Sequence, residues 1–408
     1  MPSFQQLFAL AAASFPFLTQ AAPVSTATGD VVPGNYIIML QPDADVATVE
    51  SHFLKVRDIH SRNVKRGNLA GREAAGIEHQ YGFGSFKGYA GSFDATTIDE
   101  LRSLPEVLII EEDTIMTTSD FVTQSMPENW GLAAISSRTN GSTEYVYDSS
   151  AGEGTYSYIV DTGIRITHQE FEGSRAIWGY NAVNDLNTDN AGHGTHVAGT
   201  AVGKTYGVAK KSTAVAVKVF EDDSALASVV IAGFNWAVQD IVEKNRTSTA
   251  VINMSVSSGA SAIWDAAMTA AWNQGVLSVA ASGNENRAAS EHSPCRSPEV
   301  ICVGNLQKND ARYGGTFGSN WGPEVDIFAA GAAVISAYYT SDTATQSLSG
   351  TSMASPHVAG LVSYLRGLEG PMSAAAVKAR VFELAIPGRV IDAKGSANLV
   401  AYNGAQGD

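Results

Sequence analysis

Beyond Trp130, short apolar runs rich in β-branched residues alternate with longer stretches whose apolar positions recur at helical spacing. YSYIV at 156–160, AVAVKVF at 214–220, TAVINMSV at 249–256 and GVLSVAAS at 275–282 read as strands. Helices are expected over 193–203, 225–244 and 261–274. Strands that are apolar along their whole length, each separated from the next by a helix, predict an α/β fold with a doubly wound parallel sheet covered on both faces. Ahead of it, NYIIML at 35–40, an amphipathic stretch at 46–56, strand-like segments within 81–93, a short helix at 97–104 and VLIIEED at 107–113 give the order βαββαβ. That order is a small ferredoxin-like α+β unit. The polar run KVRDIHSRNVKRG at 55–67 reads as an exposed connection, and the Thr/Ser-rich residues 114–127 as a linker. No internal repeat or low-complexity tract interrupts this plan.

Composition narrows the function. A chain of 408 residues with 44% hydrophobic and 16% charged residues can bury full cores, and its 39 glycines point to many tight turns. The formal net charge of -15 argues against nucleic acid and anionic membrane surfaces as partners. Residues 7–18 are mostly apolar and lead to small residues at Ala21 and Ala22, the pattern of an exported protein's signal peptide over 1–21. No other stretch is apolar over about 20 residues, the length a membrane span needs. A secreted, extracellular product is therefore expected. Cys295 and Cys302 are the only cysteines, either bridged in an oxidising compartment or left as two buried thiols.

Three segments carry chemistry. Asp161 closes the strand YSYIV and precedes Thr162 and Gly163, which puts a carboxylate at a strand's carboxyl end. His193 lies in GHGTHVAG at 192–199, and Ser352 in SGTSMASPHVAG at 349–360, where a helix starting at the serine aims free N–H groups outward. A serine hydroxyl is a weak nucleophile and needs an imidazole to take its proton, and the imidazole needs a carboxylate to hold its tautomer. Asn284, ending AASGN at 280–284, offers an amide donor for a tetrahedral oxyanion. The order Asp, His, Ser, and the absence of a G-x-S-x-G elbow, argue against an α/β-hydrolase esterase.

IVDTGI, GHGTHVAG and GTSMASPHVAG together resemble the signature segments of subtilisin-like serine peptidases, and WGLAAIS at 130–136 is similar to the proteinase K branch of that superfamily. The resemblance spans nearly the whole chain: a signal peptide at 1–21, an inhibitory propeptide at 22–122 and a catalytic domain at 123–408. It implies a secreted endopeptidase acting on protein or peptide substrates, made as a zymogen and cut between Val122 and Thr123, with its own propeptide as intramolecular inhibitor. Asp161 would orient, His193 act as general base and acid, Ser352 attack, and Asn284 bind the oxyanion. Ser255, Val256 and Ser257, with Ala281, Ser282 and Gly283, would cradle substrate. The family implies no catalytic cofactor but a structural calcium ion held by the carbonyls of Pro298 and Val300 and the carboxylate of Asp326, a cis bond before Pro294, and a monomer.

The match is uneven at the substrate strands. Family members carry two glycines where this chain has Ser257 and Ser258, a Gly/Ser-rich strand where it has DDSALAS at 222–228, and alanine where it has Ser282. Extra Cβ atoms would narrow the cleft, so a catalytically impaired binding protein on the same scaffold is the alternative reading. His196 and His357 read as core histidines, since H-G-T-H lacks metalloprotease spacing. Asn140 in NGS and Asn245 in NRT are glycosylation candidates, whereas Asn253 in NMS lies on an apolar strand.

Overall fold

In a computed structural model describing residues 22–25, 31–66, 76–83, 85–114, 121–126, 128–222 and 224–405, successive side chains of the central strands enter different cores. Tyr158 and Val160 pack with Val230, Phe234 and Ile241 of helix Ala227–Glu243, while Ile159 between them meets Val197 and Ala201 of helix His193–Val202. In the same way Ile252 and Met254 face one core and Val251 the other. Burial on both faces explains why these strands read as unbroken apolar runs.

The nine-stranded sheet runs in the order Ala176–Asn181, Thr213–Lys218, Tyr156–Asp161, Ala250–Met254, Leu277–Ala281, Ile301–Leu306, Ile327–Ala330, Leu399–Val400 and Ile386–Pro387. All neighbours are parallel except the last pair. From Tyr156–Asp161 the chain first builds toward one edge, then crosses to the other side at Ala250–Met254. This reversal opens a crevice at the carboxyl end of the strand that finishes in Asp161. Helix Thr351–Leu368 crosses helix His193–Val202 closely: a Cβ at Gly360 would stand 2.7 Å from the Ala201 carbonyl oxygen. Any larger residue there would push the two helices apart.

The chain divides into two compact units between Thr118 and Ser119. In the first, the sheet order is Val24–Ser25, Val107–Thr114, Val31–Leu40, Phe86–Ser92 and Gly76–Phe83, with helices Val46–Arg66 and Ala95–Leu101. Ile38, Leu40, Val56, Ile59, Tyr89, Ile98, Leu101 and Ile110 form its core, and the expected βαββαβ order is observed from Val31 onward, preceded by the additional short strand Val24–Ser25. Asp94 caps the second helix by accepting from the Thr97 N–H at 2.7 Å.

Two local expectations are corrected. The polar run at 55–67 continues the first helix as far as Arg66. Its inward stripe, His52, Val56, Ile59 and Asn63, repeats at four-, three- and four-residue steps, but two of its members are polar and hid it. Asn63 Nδ2 donates to Glu100 Oε1 at 3.0 Å, and Arg62 pairs with Glu100, so the polar face docks on the second helix. Within the expected linker, Phe121–Ser125 is a strand paired antiparallel with Glu144–Asp148, a distant partner that no local periodicity reveals. The expected signal peptide and residues 115–120 lie outside the described residues. Among the described residues no helix is long and apolar enough to cross a membrane.

Candidate active site

Asp161, His193 and Ser352 line one cleft of about 310 Å³ at the crevice, together with Phe220, Ser255 and Ser257. Asp161 is 1% exposed, and its Oδ1 accepts from His193 Nδ1 at 2.8 Å and from the Thr162 N–H at 2.8 Å. His193 opens its helix, where Gly192 has the positive φ of 92° that a side chain resists. A Cβ at Gly194 would come 2.2 Å from the Gly163 carbonyl oxygen, so glycine there lets the two segments touch.

A buried carboxylate that the sequence reading missed organises this turn. Asp189, 3% exposed, accepts from Thr162 Oγ1 and the Gly192 N–H through Oδ1, each at 2.8 Å, and from the Thr195 N–H through Oδ2 at 2.9 Å. Thr162 Oγ1 in turn accepts from the Gly194 N–H at 2.9 Å. The Asp161 loop and the His193 helix are thus tied through one side chain. Its signal was present as an Asp just upstream of a helix start, the usual place of a capping carboxylate. Buried Lys218 steadies the same loop by donating to the Thr188 carbonyl at 2.9 Å.

Ser352 is the second residue of its helix, so its N–H has no partner four residues back. Its Oγ donates to the Ser255 carbonyl at 3.2 Å, and Ser255 Oγ donates to the Ser352 carbonyl at 2.8 Å. Beneath them Asn253, fully buried, donates to Ser255 Oγ and accepts from Ser355 Oγ, which removes it as a sugar acceptor. Asn284 Oδ1 accepts from the Thr351 N–H at 2.8 Å and from Thr351 Oγ1 at 3.0 Å. The amide oxygen is occupied, which leaves Nδ2 as the outward donor. A methyl group at Gly350 would stand 3.6 Å from Asn284 Oδ1 and 3.7 Å from both Asn284 Nδ2 and the Ser352 nitrogen, so the Asn284 amide and the Ser352 N–H border the same point.

The substrate-strand residues divide. Ser255, Val256 and Ser257 line the cleft, and Val256 and Ser257 also border a second cavity with Phe220, Val230 and Trp264. Ser257 Oγ would lie 3.1 Å from a Cβ on Gly283 and is 3.4 Å from His292 Nδ1, so this hydroxyl occupies the gap facing Gly283. Ala281, Ser282 and Gly283 are buried, and Ser282 Oγ turns to Ser319 Oγ at 3.4 Å, so its departure from alanine does not fill the cleft.

Away from the cleft, Cys295 and Cys302 are bonded to each other, and the Ser293–Pro294 peptide is cis. His196 and His357 are fully buried, donating to the carbonyls of Val334 and Met353. Burial pushes both down to about 4, against the hydrogen bonds that hold them. Asn140 and Asn245 are exposed. Pro298, Val300 and Asp326 do converge, but around a side chain: Lys378 Nζ donates to the Pro298 carbonyl at 2.7 Å and to the Val300 carbonyl at 2.8 Å. These three residues therefore do not fit a calcium ion as they stand, since their carbonyls already serve an ammonium and Asp326 Oδ2 accepts from the Cys302 N–H at 2.9 Å.

A doubly wound sheet whose switch point gathers a hydroxyl, an imidazole and a buried carboxylate defines an α/β enzyme of the serine-hydrolase class. The model of the subtilase family matches residues 152–404, and that of the peptidase inhibitor I9 family matches residues 35–119. Alkaline protease 1 of Aspergillus clavatus is 49% identical over 379 residues, 93% of each chain. Alkaline protease 1 of Aspergillus oryzae is 46% identical over 406 residues, 99% of this chain and 100% of that one. The crystal structure of a cold adapted subtilisin-like serine proteinase is matched with a TM-score of 0.63 at 36% identity, over 69% of this chain and 100% of that chain. The chain belongs to the subtilase family and is a subtilisin-like serine endopeptidase carrying an I9 propeptide unit.

Proposed function

We propose that the protein is a secreted endopeptidase that works through an acyl-enzyme on Ser352. His193 takes the Ser352 proton as Oγ attacks the scissile carbonyl, then gives it to the leaving amine, and a water repeats the sequence in deacylation. Asp161 holds Nδ1 protonated, so that Nε2 is the basic nitrogen, and stabilises the imidazolium. Asn284 Nδ2 and the Ser352 N–H receive the oxyanion. The observation that carries this reading is the 2.8 Å bond from His193 to a buried carboxylate, inside a cleft that Ser352 also lines. No cofactor enters the chemistry.

Substrate would lie along Ser255, Val256 and Ser257 on one side and Ala281, Ser282 and Gly283 on the other, pairing through backbone as an added strand. The cavity walled by Val256, Val230 and Trp264 suits an apolar side chain on the acyl side of the cut. The precursor would be cut between Val122 and Thr123, both of which are exposed, and the released propeptide would inhibit until degraded. Export would bring glycans to Asn140 and Asn245, with the mature enzyme a monomer. Expression of Ser352→Ala tests the scheme: the precursor should persist at full length and peptide hydrolysis should vanish, whereas normal maturation would refute it.

A further inference from the structure

The segment between the disulfide partners Cys295 and Cys302 leads into strand Ile301–Leu306, which pairs with Leu277–Ala281 just ahead of Asn284. Helix Ala374–Leu384 projects Lys378 into this segment from outside the sheet. Its ammonium makes two hydrogen bonds, at 2.7 Å to Pro298 O and 2.8 Å to Val300 O, and stands 5.7 Å from the Trp272 ring centre and 6.0 Å from that of Phe382. Asp326 and Glu299 both attract it. Burial disfavours the charge, but two carbonyls accept from the nitrogen, two aromatic rings stand about 6 Å away and the charges of Asp326 and Glu299 favour a cation, so the surroundings form a cation seat.

We propose that the Lys378 ammonium is a tethered cation filling the seat expected for calcium, so that wild-type protein binds no divalent ion there and removing the ammonium exposes the seat to one. A divalent ion would need six to eight oxygens at roughly 2.3–2.6 Å. Two of those on offer are already spent on Nζ, and a second positive charge beside it would be repelled. An attached cation also avoids the dependence on free-ion concentration that ligand-linked stability carries. The segment would be held by a covalent bridge and a lysine in place of a bridge and a metal.

Terbium(III), an oxygen-seeking calcium mimic whose emission is sensitised by a nearby indole, reads the seat directly through Trp272. The mature enzyme, inactivated with a fluorophosphonate to stop autolysis, would be titrated as wild type, Lys378→Ala, and Lys378→Ala with Trp272→Phe. Wild type should show no emission dependent on Trp272. Lys378→Ala should melt lower by roughly 5 °C, gain terbium emission that Trp272→Phe removes, and recover melting temperature in millimolar calcium. Emission from wild type that is lost in the single Trp272→Phe variant would overturn the proposal. So would a folded Lys378→Ala protein that gains neither emission nor calcium-dependent stability. If Lys378→Ala does not fold, Lys378→Gln carries the same comparison, and the wild-type titration remains decisive by itself.

Discussion

Replacing Asn284 separates an oxyanion donor from a merely structural amide. Its Oδ1 accepts two hydrogen bonds from Thr351, at 2.8 and 3.0 Å, so a flipped amide would set its NH₂ against the Thr351 N–H, a donor that cannot turn away, although the hydroxyl could rotate to accept. Losing the backbone hydrogen bond, about 1 kcal/mol, already favours the observed orientation by roughly 5-fold, before any repulsion. Nδ2 is thus pre-aimed, and an oxyanion donor of this kind is worth about 2.7–4 kcal/mol in the transition state. Asn284→Ala should therefore lower kcat about 10²- to 10³-fold with KM little changed. Asn284→Asp, which puts negative charge beside the developing oxyanion, should fall further. Thr351→Val keeps the backbone donor but removes the hydroxyl, weakening the aim by about 1 kcal/mol, so a loss of only about 2- to 5-fold is expected. Initial rates with a peptide p-nitroanilide, normalised by active-site titration, measure the series. Under the proposed self-processing, impaired variants should mature slowly, so the time course of precursor cleavage gives a second readout. Asn284→Ala with kcat within about threefold of wild type, or Thr351→Val as damaging as Asn284→Ala, would refute the reasoning.

Three further outcomes follow from the same geometry. His196 and His357 titrate near 4 in the folded protein because burial disfavours their charged forms, yet near 6.5 when unfolded. The unfolded chain therefore binds more protons between those values, and stability present above pH 6.5 is lost as pH falls toward 4, on the order of 3 kcal/mol per histidine. Melting temperatures between pH 7 and 4 should fall accordingly, and His357→Gln should flatten part of that slope; an unchanged slope would contradict it. Asp189→Ala leaves the donors of Thr162, Gly192 and Thr195 unsatisfied, so it should lose about 3 kcal/mol or more of stability, with Asp189→Asn intermediate in both melting temperature and kcat. Ser257→Gly empties the gap facing Gly283 and should raise kcat/KM for substrates with large apolar acyl-side residues about 3- to 10-fold over alanine; equal effects on both substrates would show that this hydroxyl does not limit the pocket.

The parallel sheet was legible because each central strand is buried on both faces and so spells an apolar run, as in residues 156–160 and 249–256. The residues bearing the expected chemistry were legible for a related reason: Gly192, Gly194 and Gly350 mark places where backbone turns or crowds, and such places punctuate a sequence. Residues that act through distant partners left no such mark. Asp189, Thr351 and Asn253 matter for what they hydrogen-bond across the fold, and each alone reads as a polar residue near a turn or strand end. Lys378 lies 78 residues from Val300, and nothing in AVKAR announces which carbonyls it meets. The helix through residues 55–66 was hidden because His52 and Asn63 share its buried stripe with Val56 and Ile59, so a hydrophobicity reading saw only part of the period.

The most direct test of the account is to react the mature protein with a fluorophosphonate and map the adduct by peptide mass spectrometry, alongside Ser352→Ala and His193→Ala. One adduct, on Ser352, should form rapidly in wild type, be absent in Ser352→Ala, and form orders of magnitude more slowly without the imidazole. An adduct on another residue, or labelling of Ser352 at an unchanged rate in His193→Ala, would contradict it.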